Sequence, residues 1–290
     1  MPSSKRTLRV RAVRDSRYAR GASAWCRASG VSPTHLITRT VEGRLAAPMQ
    51  QVRREPAVVV ASIRALAQRW IEQCAATARV ARAERGRFAL AVPGGSVAEL
   101  FLPELAKSDM DWGRMHLFFC DERCVPPDHP NSNYGYVERL MLEPLGDRAP
   151  HVYRMPGEDP DAERAARDYA STLRFVLGSP PVLDMALLGV GEDGHVASLF
   201  PGHASLAEMD QYAIAEEHAP KLPARRLTLS LGVLAAAREV VVGAFGASKA
   251  TAVASALHDP SSELPLALLL RHTNRATVMV DEDAARGLGR

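Results

Sequence analysis

The sequence predicts an α/β fold, a three-layer α/β/α sandwich around a doubly wound, mostly parallel sheet. From residue 55 onward, short apolar runs alternate with longer segments of helical periodicity. Several apolar runs end at turns that carry glycine and polar side chains, as parallel strands do where a ligand crevice lies at their carboxyl ends. The 47% hydrophobic content is ample for a buried core, and we expect residues 55–290 to form a single domain.

The first 54 residues differ in charge from the rest of the chain. They hold twelve of the 36 basic residues and two of the 33 acids, which leaves 24 basic and 31 acidic residues and a net charge of −7 elsewhere. We expect a disordered extension, or a start assigned too far upstream with Met49 as the true start. A transit peptide and a functional basic arm are the alternatives. The acidic remainder argues against nucleic-acid binding, so local donors must hold any anionic ligand.

Two further counts limit the classes of protein. No apolar run reaches the roughly 18 to 20 residues that span a bilayer, so we expect a soluble, cytoplasmic protein that does not bind membranes. The few cysteines are too dispersed for a disulfide framework. Only Cys120 and Cys124 are close together, and no second Cys or His pair has a spacing that would complete a zinc site. We therefore expect free thiols in a reducing compartment and no metal site. We also expect a monomer or weak homodimer. The cysteines are Cys26, Cys74, Cys120 and Cys124.

The first elements form a strand, a glycine turn and a helix. Residues 57–83 have the spacing of an amphipathic helix, and residues 88–92 form an apolar strand that ends at Gly94, Gly95 and Ser96. Glycine lets the backbone approach a ligand, and the N–H groups of the following helical turn point outward, so this turn can bind a phosphate with the Ser96 hydroxyl. An ordinary turn with Ser96 as the helix N-cap would have the same sequence.

The second predicted strand, residues 116–120, runs directly into charged side chains. Asp121 and Arg123 follow it, and a Pro-rich loop leads to a helix that begins near Asn133. A carboxylate and a guanidinium at the end of a strand are well placed to contact a polar ligand. A surface ion pair without a function is the alternative.

Residues 152–155 are predicted to form the next strand. Asp159 can cap the following helix and Pro160 can start it. After this helix, the apolar residues 183–188 form a buried strand that delivers the next motif.

That motif is a glycine-rich turn in which Asp193 and His195 are two residues apart. Gly189, Gly191 and Gly194 also fit the dinucleotide pattern GxGxxG. A dinucleotide site needs a long helix after the third glycine, and only six residues separate Gly194 from the next Pro-Gly pair. We therefore favour a turn that brings an acid and a histidine to the crevice, with a purely structural turn as the alternative.

The last part of the chain completes the alternation of strands and helices. Strands are predicted over residues 212–215, 227–231, 239–245 and 276–280. Lys249 falls in the first turn of the helix after the third of these, where a lysine is unfavourable with respect to the helix dipole. A counter-anion or simple solvation would explain it.

Four stretches together resemble the 6-phosphogluconolactonases. These stretches are PGGS at 93–96, DERCVPPDHPNSNYG at 121–135, GVGEDGHVASLFPG at 189–202, and RLTLS followed by GAFGASKA within 226–250. The similarity extends over about residues 55–285, in order, and leaves residues 1–54 outside it.

The resemblance implies a fold shared with sugar-phosphate deaminases and ribose-5-phosphate isomerases. It also implies hydrolysis of 6-phosphoglucono-1,5-lactone to 6-phosphogluconate in the oxidative pentose phosphate pathway, without a metal or organic cofactor. By position, His195 would be the general base and Asp193 would shape its environment. The other implied site residues are Gly94, Gly95, Ser96, Arg123 and Lys249 as phosphate or lactone ligands, Asp121 and Asn133 as pocket-lining residues, and Arg226 as a secondary candidate.

The sequence departs from the family at one position of the first motif. The family often has Thr-Pro after the serine, whereas this chain has Val97 and Ala98. One hydroxyl donor is lost, so we expect the loop to rely more on its backbone N–H groups. The division of roles among Arg123, Arg226 and Lys249 stays open.

The residue types suit this chemistry. A lactone is an activated ester, so water and one base suffice, and a histidine with a pKa near neutrality can accept the water proton and protonate the ring oxygen. Arginine or backbone donors would stabilise the oxyanion. No G-x-S-x-G nucleophile elbow occurs, and Ser198 is expected to line the pocket wall or pack a helix.

Two alternative functions remain. A sugar-phosphate deaminase or isomerase on the same fold would resemble its family in carrying DEY and FNEP, where this chain has Arg123 and residues 198–201 read SLFP. A non-catalytic sugar-phosphate sensor could use the basic tail on DNA, but it has no need of a histidine beside an aspartate, and the tail has no helix-turn-helix pattern.

Overall fold

A computed structural model describes residues 55–289, and the predictions for residues 1–54 lie outside these described residues. The described part has ten strands and nine α-helices. The strands are β1 (Ala57–Val60), β2 (Phe88–Val92), β3 (Met115–Phe119), β4 (Asp121–Arg123), β5 (His151–Val152), β6 (Met185–Gly189), β7 (Ala213–Glu216), β8 (Arg226–Leu229), β9 (Val240–Ala244) and β10 (Ala276–Val280). The helices are α1 (Ile63–Arg85), α2 (Gly95–Ala106), α3 (Asn133–Val137), α4 (Glu143–Leu145), α5 (Ala162–Leu177), α6 (Ala204–Ala207), α7 (Leu231–Ala235), α8 (Ala250–His258) and α9 (Pro265–His272).

Seven strands form one sheet in the order β1-β10-β9-β6-β2-β3-β5, and every neighbouring pair is parallel. The predicted doubly wound, mostly parallel α/β fold is therefore confirmed. Because all these strands run the same way, their carboxyl ends lie at one edge of the sheet. The predicted glycine turns after β2 and β6 consequently meet there, since β2 and β6 are neighbours.

The helices pack on this sheet through large apolar side chains. Trp70 of α1 and Phe101 of α2 are fully buried and stack with ring centroids 5.3 Å apart. The buried Tyr169 of α5 accepts a hydrogen bond from the Phe119 N–H (2.9 Å), which fixes the carboxyl end of β3. The rigid core thus extends to the edge where polar side chains begin.

The first predicted helix begins later than expected. Residues Ala57–Val60 form strand β1, parallel to β10, and α1 starts only at Ile63. Three consecutive valines favour the extended conformation, and the Ser62 side chain accepts a hydrogen bond from the Ala65 N–H and caps the helix. The helical spacing assigned to residues 57–62 was therefore wrong.

The cap of α5 also differs from the prediction. Asp161 caps this helix, its carboxylate accepting from the Arg164 N–H at 2.9 Å, so the helix starts at Ala162 and not at Pro160. Asp159 instead accepts a hydrogen bond from the Asp161 N–H and pairs with the Arg164 guanidinium. Two acids upstream of one helix compete for the cap, and the second one makes the bond.

A second, three-stranded antiparallel sheet was not predicted. It has the order β4-β8-β7, with Arg123 directly opposite Arg226 and Asp121 opposite Thr228. The charged residues after β3 therefore belong to a strand of their own.

Among residues 55–289, no helix combines the length and apolarity that a bilayer crossing requires.

Candidate active site

A pocket of about 150 Å³ lies at the carboxyl ends of β2 and β6. Most of the predicted site residues line it. They are Gly94, Gly95, Ser96, Asp121, Arg123, Asn133, His195 and Arg226, joined by Pro93, Val97, Gly189, Val190 and Ala197. Asp193 does not line the pocket itself but is hydrogen-bonded to His195, which does. Lys249 is not among the lining residues either; it is the last residue of a 3₁₀ turn after β9.

His195 and Asp193 form a hydrogen-bonded pair within the turn after β6. The His195 Nδ1 lies 2.6 Å from the Asp193 Oδ1. A carboxylate can only accept, so Nδ1 donates, and in the neutral ring Nε2 is then left without a proton. Partial burial raises the pKa of Asp193, but the nearby imidazole and its hydrogen bonds outweigh this and lower the pKa below its ordinary value. Asp193 therefore stays ionised beside the base.

Glycine at position 191 makes room for this pair. A Cβ there would lie 2.0 Å from the His195 Nδ1 and 2.4 Å from the Asp193 Oδ1. The Gly191 N–H also donates to the His195 carbonyl at 2.8 Å, which closes the turn. The first part of the GxGxxG pattern thus packs under an imidazole, and no α-helix follows the turn before α6. The dinucleotide interpretation is not supported.

Ser198 connects this turn to β4 and β8. Its hydroxyl donates to the buried Asp121 Oδ2 at 2.7 Å, and its N–H donates to the Thr228 hydroxyl at 3.2 Å. These bonds follow Ala197, whose φ of 52° lies in the left-handed region that non-glycine residues rarely adopt. The neighbouring hydrogen bonds therefore hold a strained backbone at the pocket wall.

Asn133 lies on the other side of Asp121. Its side-chain amide donates to the Asp121 Oδ1 (3.0 Å) and to the Asp121 carbonyl (2.9 Å). The Asn133 Oδ1 is buried and has no hydrogen-bond partner among the described residues. A Cβ at Gly94 would lie 1.8 Å from that oxygen, so the loop after β2 needs glycine to pack against Asn133.

Glu122 does not line the pocket but holds the backbone of the lining residues Arg123 and Asn133, a role that the sequence did not predict. It is 2% exposed and accepts hydrogen bonds from the N–H groups of Arg123, Asn133 and Tyr134 and from the Ser132 hydroxyl. Burial raises the pKa of its carboxyl, although these four bonds oppose the shift. The sequence signal was the start of a helix at Ser132 and Asn133, whose first N–H groups need acceptors.

Two guanidinium groups border the pocket because β4 and β8 pair. Arg123 donates to the Asn131 carbonyl at 3.0 Å, and its buried Nε has no partner within residues 55–289. Arg226 donates to the carbonyls of Lys221 (2.8 Å) and Pro223 (3.0 Å). Burial lowers the pKa of Arg226 from its ordinary value, yet an arginine keeps its charge at neutral pH.

The loop after β2 presents a helix N-terminus to the same pocket. Gly94 is the N-cap of α2, so the alternative in which Ser96 caps the helix is wrong. Ser96 is exposed in the first turn, and Val97 is buried, with its Cγ2 close to Gly189 and Gly243. Position 97 thus lies against the strand ends, and the loop offers backbone N–H groups and one hydroxyl.

Among residues 55–289, no group of three or more His, Cys, Asp and Glu side chains could hold a metal ion. Cys74, Cys120 and Cys124 are free thiols, and Cys26 lies outside the described residues.

The comparisons with known proteins agree with this geometry. Residues 61–279 match the family model described as glucosamine-6-phosphate isomerases/6-phosphogluconolactonase. A human 6-phosphogluconolactonase is 41% identical over 210 residues, which are 70% of this chain and 81% of the relative. The solved structure of 6-phosphogluconolactonase from Trypanosoma brucei superposes with a TM-score of 0.70 at 27% identity, covering 81% of this chain and 99% of that one.

A monomeric glucosamine-6-phosphate deaminase of the NagB superfamily has the same fold. Its TM-score is 0.67 at 20% identity, covering 80% of this chain and 99% of that one, so this likeness concerns the fold alone. The pocket, the order of the motifs and the match over residues 61–279 lead to one conclusion: the chain belongs to the glucosamine-6-phosphate isomerase/6-phosphogluconolactonase family.

Proposed function

We propose that this chain hydrolyses 6-phosphoglucono-1,5-lactone to 6-phosphogluconate in the oxidative pentose phosphate pathway. The observation that carries the proposal is the imidazole of His195, bound to Asp193 at 2.6 Å and bordering a pocket that two guanidinium groups also line. A base, an adjacent carboxylate and cationic donors are the groups that lactone hydrolysis requires. The relatives named 6-phosphogluconolactonase support the same activity.

The reaction proceeds in two steps. The unprotonated Nε2 of His195 takes a proton from water as the water oxygen attacks the lactone carbonyl carbon, and the carbonyl oxygen becomes an oxyanion. The tetrahedral intermediate then collapses, the bond from that carbon to the ring oxygen breaks, and the imidazolium returns its proton to the ring oxygen. Asp193 stabilises the imidazolium between the two steps, because its low pKa keeps it ionised.

The phosphate and the oxyanion need separate donors. The N-terminus of α2, with Gly94, Gly95 and Ser96, offers backbone N–H groups and a hydroxyl to the phosphate. Arg123 and Arg226 lie opposite each other in β4 and β8. We assign this pair of guanidinium groups to the remaining donor roles, toward the phosphate and toward the carbonyl oxygen, without dividing the two roles between them. Lys249 does not line the pocket, so we rank it below the two arginines as a ligand of the phosphate or the lactone.

The first experiment is hydrolysis of freshly generated 6-phosphogluconolactone by the wild type and by His195→Ala, with the spontaneous rate subtracted. Unphosphorylated gluconolactone tests the phosphate requirement, and glucosamine 6-phosphate tests the deaminase alternative. We expect acceleration of the phosphorylated lactone only, and a loss of about two or more orders of magnitude in the variant. A wild type no faster than buffer that still binds 6-phosphogluconate would support the sensor alternative.

We also propose that the protein works in the cytoplasm, as a monomer or weak homodimer, without nucleic acid or membrane partners. The free thiols of Cys74, Cys120 and Cys124 support a reducing compartment. Fractionation of cells that express the full chain, together with light scattering over a range of protein concentrations, tests both parts.

A further inference from the structure

A buried carboxylate lies directly opposite Arg226 in the pairing of β7 with β8 and takes no part in the proposed reaction. Glu216, at the end of β7, is 5% exposed. Its carboxylate accepts hydrogen bonds from the Ser205 hydroxyl (2.5 Å) and the His218 N–H (2.8 Å), and it lies 3.2 Å from the His203 Nδ1. Burial raises the pKa of Glu216, but these partners outweigh it and the net shift is downward. A charged group held by three partners keeps a fixed position.

The partner of Glu216 begins a row of three aromatic rings that ends at the proposed base. The ring centroids of His203 and Phe200 are 5.4 Å apart, and those of Phe200 and His195 are 4.6 Å apart. The planes are tilted by 48° and 46°, within the range of favourable tilted contacts. Phe200 is 2% exposed, so neighbours on every side limit its rotation.

Phe200 also contacts one of the two guanidinium groups. The Cζ of Arg226 lies over its ring at 5.7 Å from the centroid, a cation–π distance. One phenyl ring therefore touches both the imidazole of His195 and the cation of Arg226. A change in the plane of this ring would displace both groups relative to the substrate.

The contact between Phe200 and His195 matters because the hydrogen bond from His195 to Asp193 leaves one motion of the imidazole possible. The hydrogen bond to Asp193 fixes Nδ1 of His195, but the imidazole can still swing about that point, and its side chain is 23% exposed. The Phe200 ring, 4.6 Å from the imidazole and tilted by 46°, limits this motion. Near-attack geometry tolerates only small errors in the position of a base, so the ring plane affects the rate of the chemical step.

We infer that Glu216 is a positioning residue: through His203 and Phe200 it sets the ring plane of His195 and the place of the Arg226 guanidinium. The kinetic part of this inference rests on the proposed hydrolysis, and the geometric part does not. Glu216 reaches the base only through two other side chains and contacts neither substrate nor reacting atoms.

The test compares Glu216→Gln with Glu217→Gln in the full chain. Glutamine keeps the size of the side chain and an oxygen acceptor but loses the charge that holds His203 and Ser205. Glu217 is the matched control, because it is the next residue, its side chain is 41% exposed, and it pairs with Arg225 at 2.9 Å. Thermal unfolding of both variants verifies that they are folded.

The decisive measurement is NMR of histidine-labelled protein, in which the spectrum of His195→Gln identifies the His195 ring signals. The phenyl ring 4.6 Å away imposes a ring-current shift on those signals. We expect Glu216→Gln to move or broaden them and Glu217→Gln to leave them in place. His203→Gln, which keeps a donor for Glu216 but removes the ring, should have the same effect as Glu216→Gln and covers the case in which Glu216→Gln does not fold.

Kinetics provide the second measurement. We expect kcat/KM to fall about five- to tenfold in Glu216→Gln, because the base and the Arg226 guanidinium are both displaced relative to the substrate. If the His195 signals of Glu216→Gln and of His203→Gln superimpose on those of the wild type, the inference is wrong. Signals that move in a protein without lactonase activity would sustain the inference about the ring and overturn the proposed function instead.

Discussion

The turn over residues 189–200 and the segment over residues 121–137 both border the pocket, but they hold their carboxylates in different ways. Asp193 in the turn has a side chain that is 44% exposed, and its hydrogen bonds come from one residue, His195. Glu122 in the segment is 2% exposed and accepts four hydrogen bonds, three of them from backbone N–H groups. The exposed pair can exchange a proton with water, whereas the buried carboxylate fixes backbone geometry.

The direction of the pKa shift follows from this difference. Burial is the largest influence on both carboxyl groups and raises the pKa of each. At Glu122 burial prevails over the hydrogen bonds. At Asp193 the imidazole charge and the hydrogen bonds together outweigh partial burial and lower the pKa. We therefore expect substitutions in the segment to reduce stability first and substitutions in the turn to reduce activity first.

The largest effect is expected for Glu122→Ala. It leaves two buried and two partly buried donors without an acceptor, and we expect the free energy of unfolding to fall by about 3 kcal/mol. Thermal unfolding should show a decrease in Tm of roughly 6 to 12 °C. Glu163→Ala, on the exposed side of α5 and 4.0 Å from Arg167, is the control and should change stability by less than about 0.5 kcal/mol. A stable Glu122→Ala variant would remove the basis of the comparison.

Gly191→Ala tests the turn in the same way. The new Cβ would clash with the His195 imidazole, a partly exposed group that can move aside, so we expect kcat/KM to fall about a hundredfold while stability changes by less than about 1 kcal/mol. The control is Gly113→Ala, where the nearest atom to the new Cβ is 3.9 Å away. A large loss of stability with normal kcat/KM would show that the turn behaves like the buried segment.

The sequence predicted the turn more fully than the segment. The acid and the histidine of the turn are two residues apart, and glycines surround them, so local spacing sufficed to place Asp193 beside His195. The role of Glu122 depends on burial and on a hydroxyl and two backbone N–H groups ten to twelve residues away in the chain, neither of which a pattern of residue types reports.

Long-range pairing explains the other differences. The main sheet followed from alternating apolar runs, but the pairing of β4 with β8, which puts Arg123 opposite Arg226, joins residues about a hundred positions apart. The same limit applies to Lys249: the sequence placed it near the end of a strand, but only the fold shows that this end lies outside the pocket lining. Strand β1 was missed because its valines directly precede α1, and the helical spacing of that helix was extended back over them.

Smaller losses of both stability and activity are expected at Ser198, whose side chain connects the turn to Asp121 of the segment. Ser198→Ala removes the hydrogen bond to Asp121 and loosens the backbone at Ala197. We expect a loss of about 1 kcal/mol in stability and a fall in kcat/KM of about tenfold. Urea unfolding and steady-state kinetics measure the two effects. Ser171→Ala, whose hydroxyl bonds only to its own helix, should change neither, and the same result at Ser198 would mean that the two regions are independent.

The smallest effect is expected from Asp193→Asn on stability, and it should depend on pH. The folded pKa of Asp193 lies below its ordinary value of 3.8, so between these two values the unfolded state binds more protons and stability rises with pH. The charge therefore stabilises the fold above pH 3.8, and this contribution is lost as the pH falls through the folded pKa. Since the side chain is exposed and screened, we expect only about 0.5 kcal/mol at pH 7.

Urea unfolding of the wild type and of Asp193→Asn from pH 7 to pH 3 measures this difference. It should be constant down to about pH 5 and shrink below the ordinary pKa, and 1 M salt should reduce it as well. The raised pKa of Glu122 gives its contribution to stability the opposite pH dependence. A carboxyl whose pKa is raised in the folded state stabilises the fold most below its unfolded pKa, and this contribution is lost as the pH rises through the folded pKa. A difference at Asp193 that grew on acidification would place it with Glu122, and the exposed pair could then no longer be distinguished from the buried carboxylate by its electrostatics.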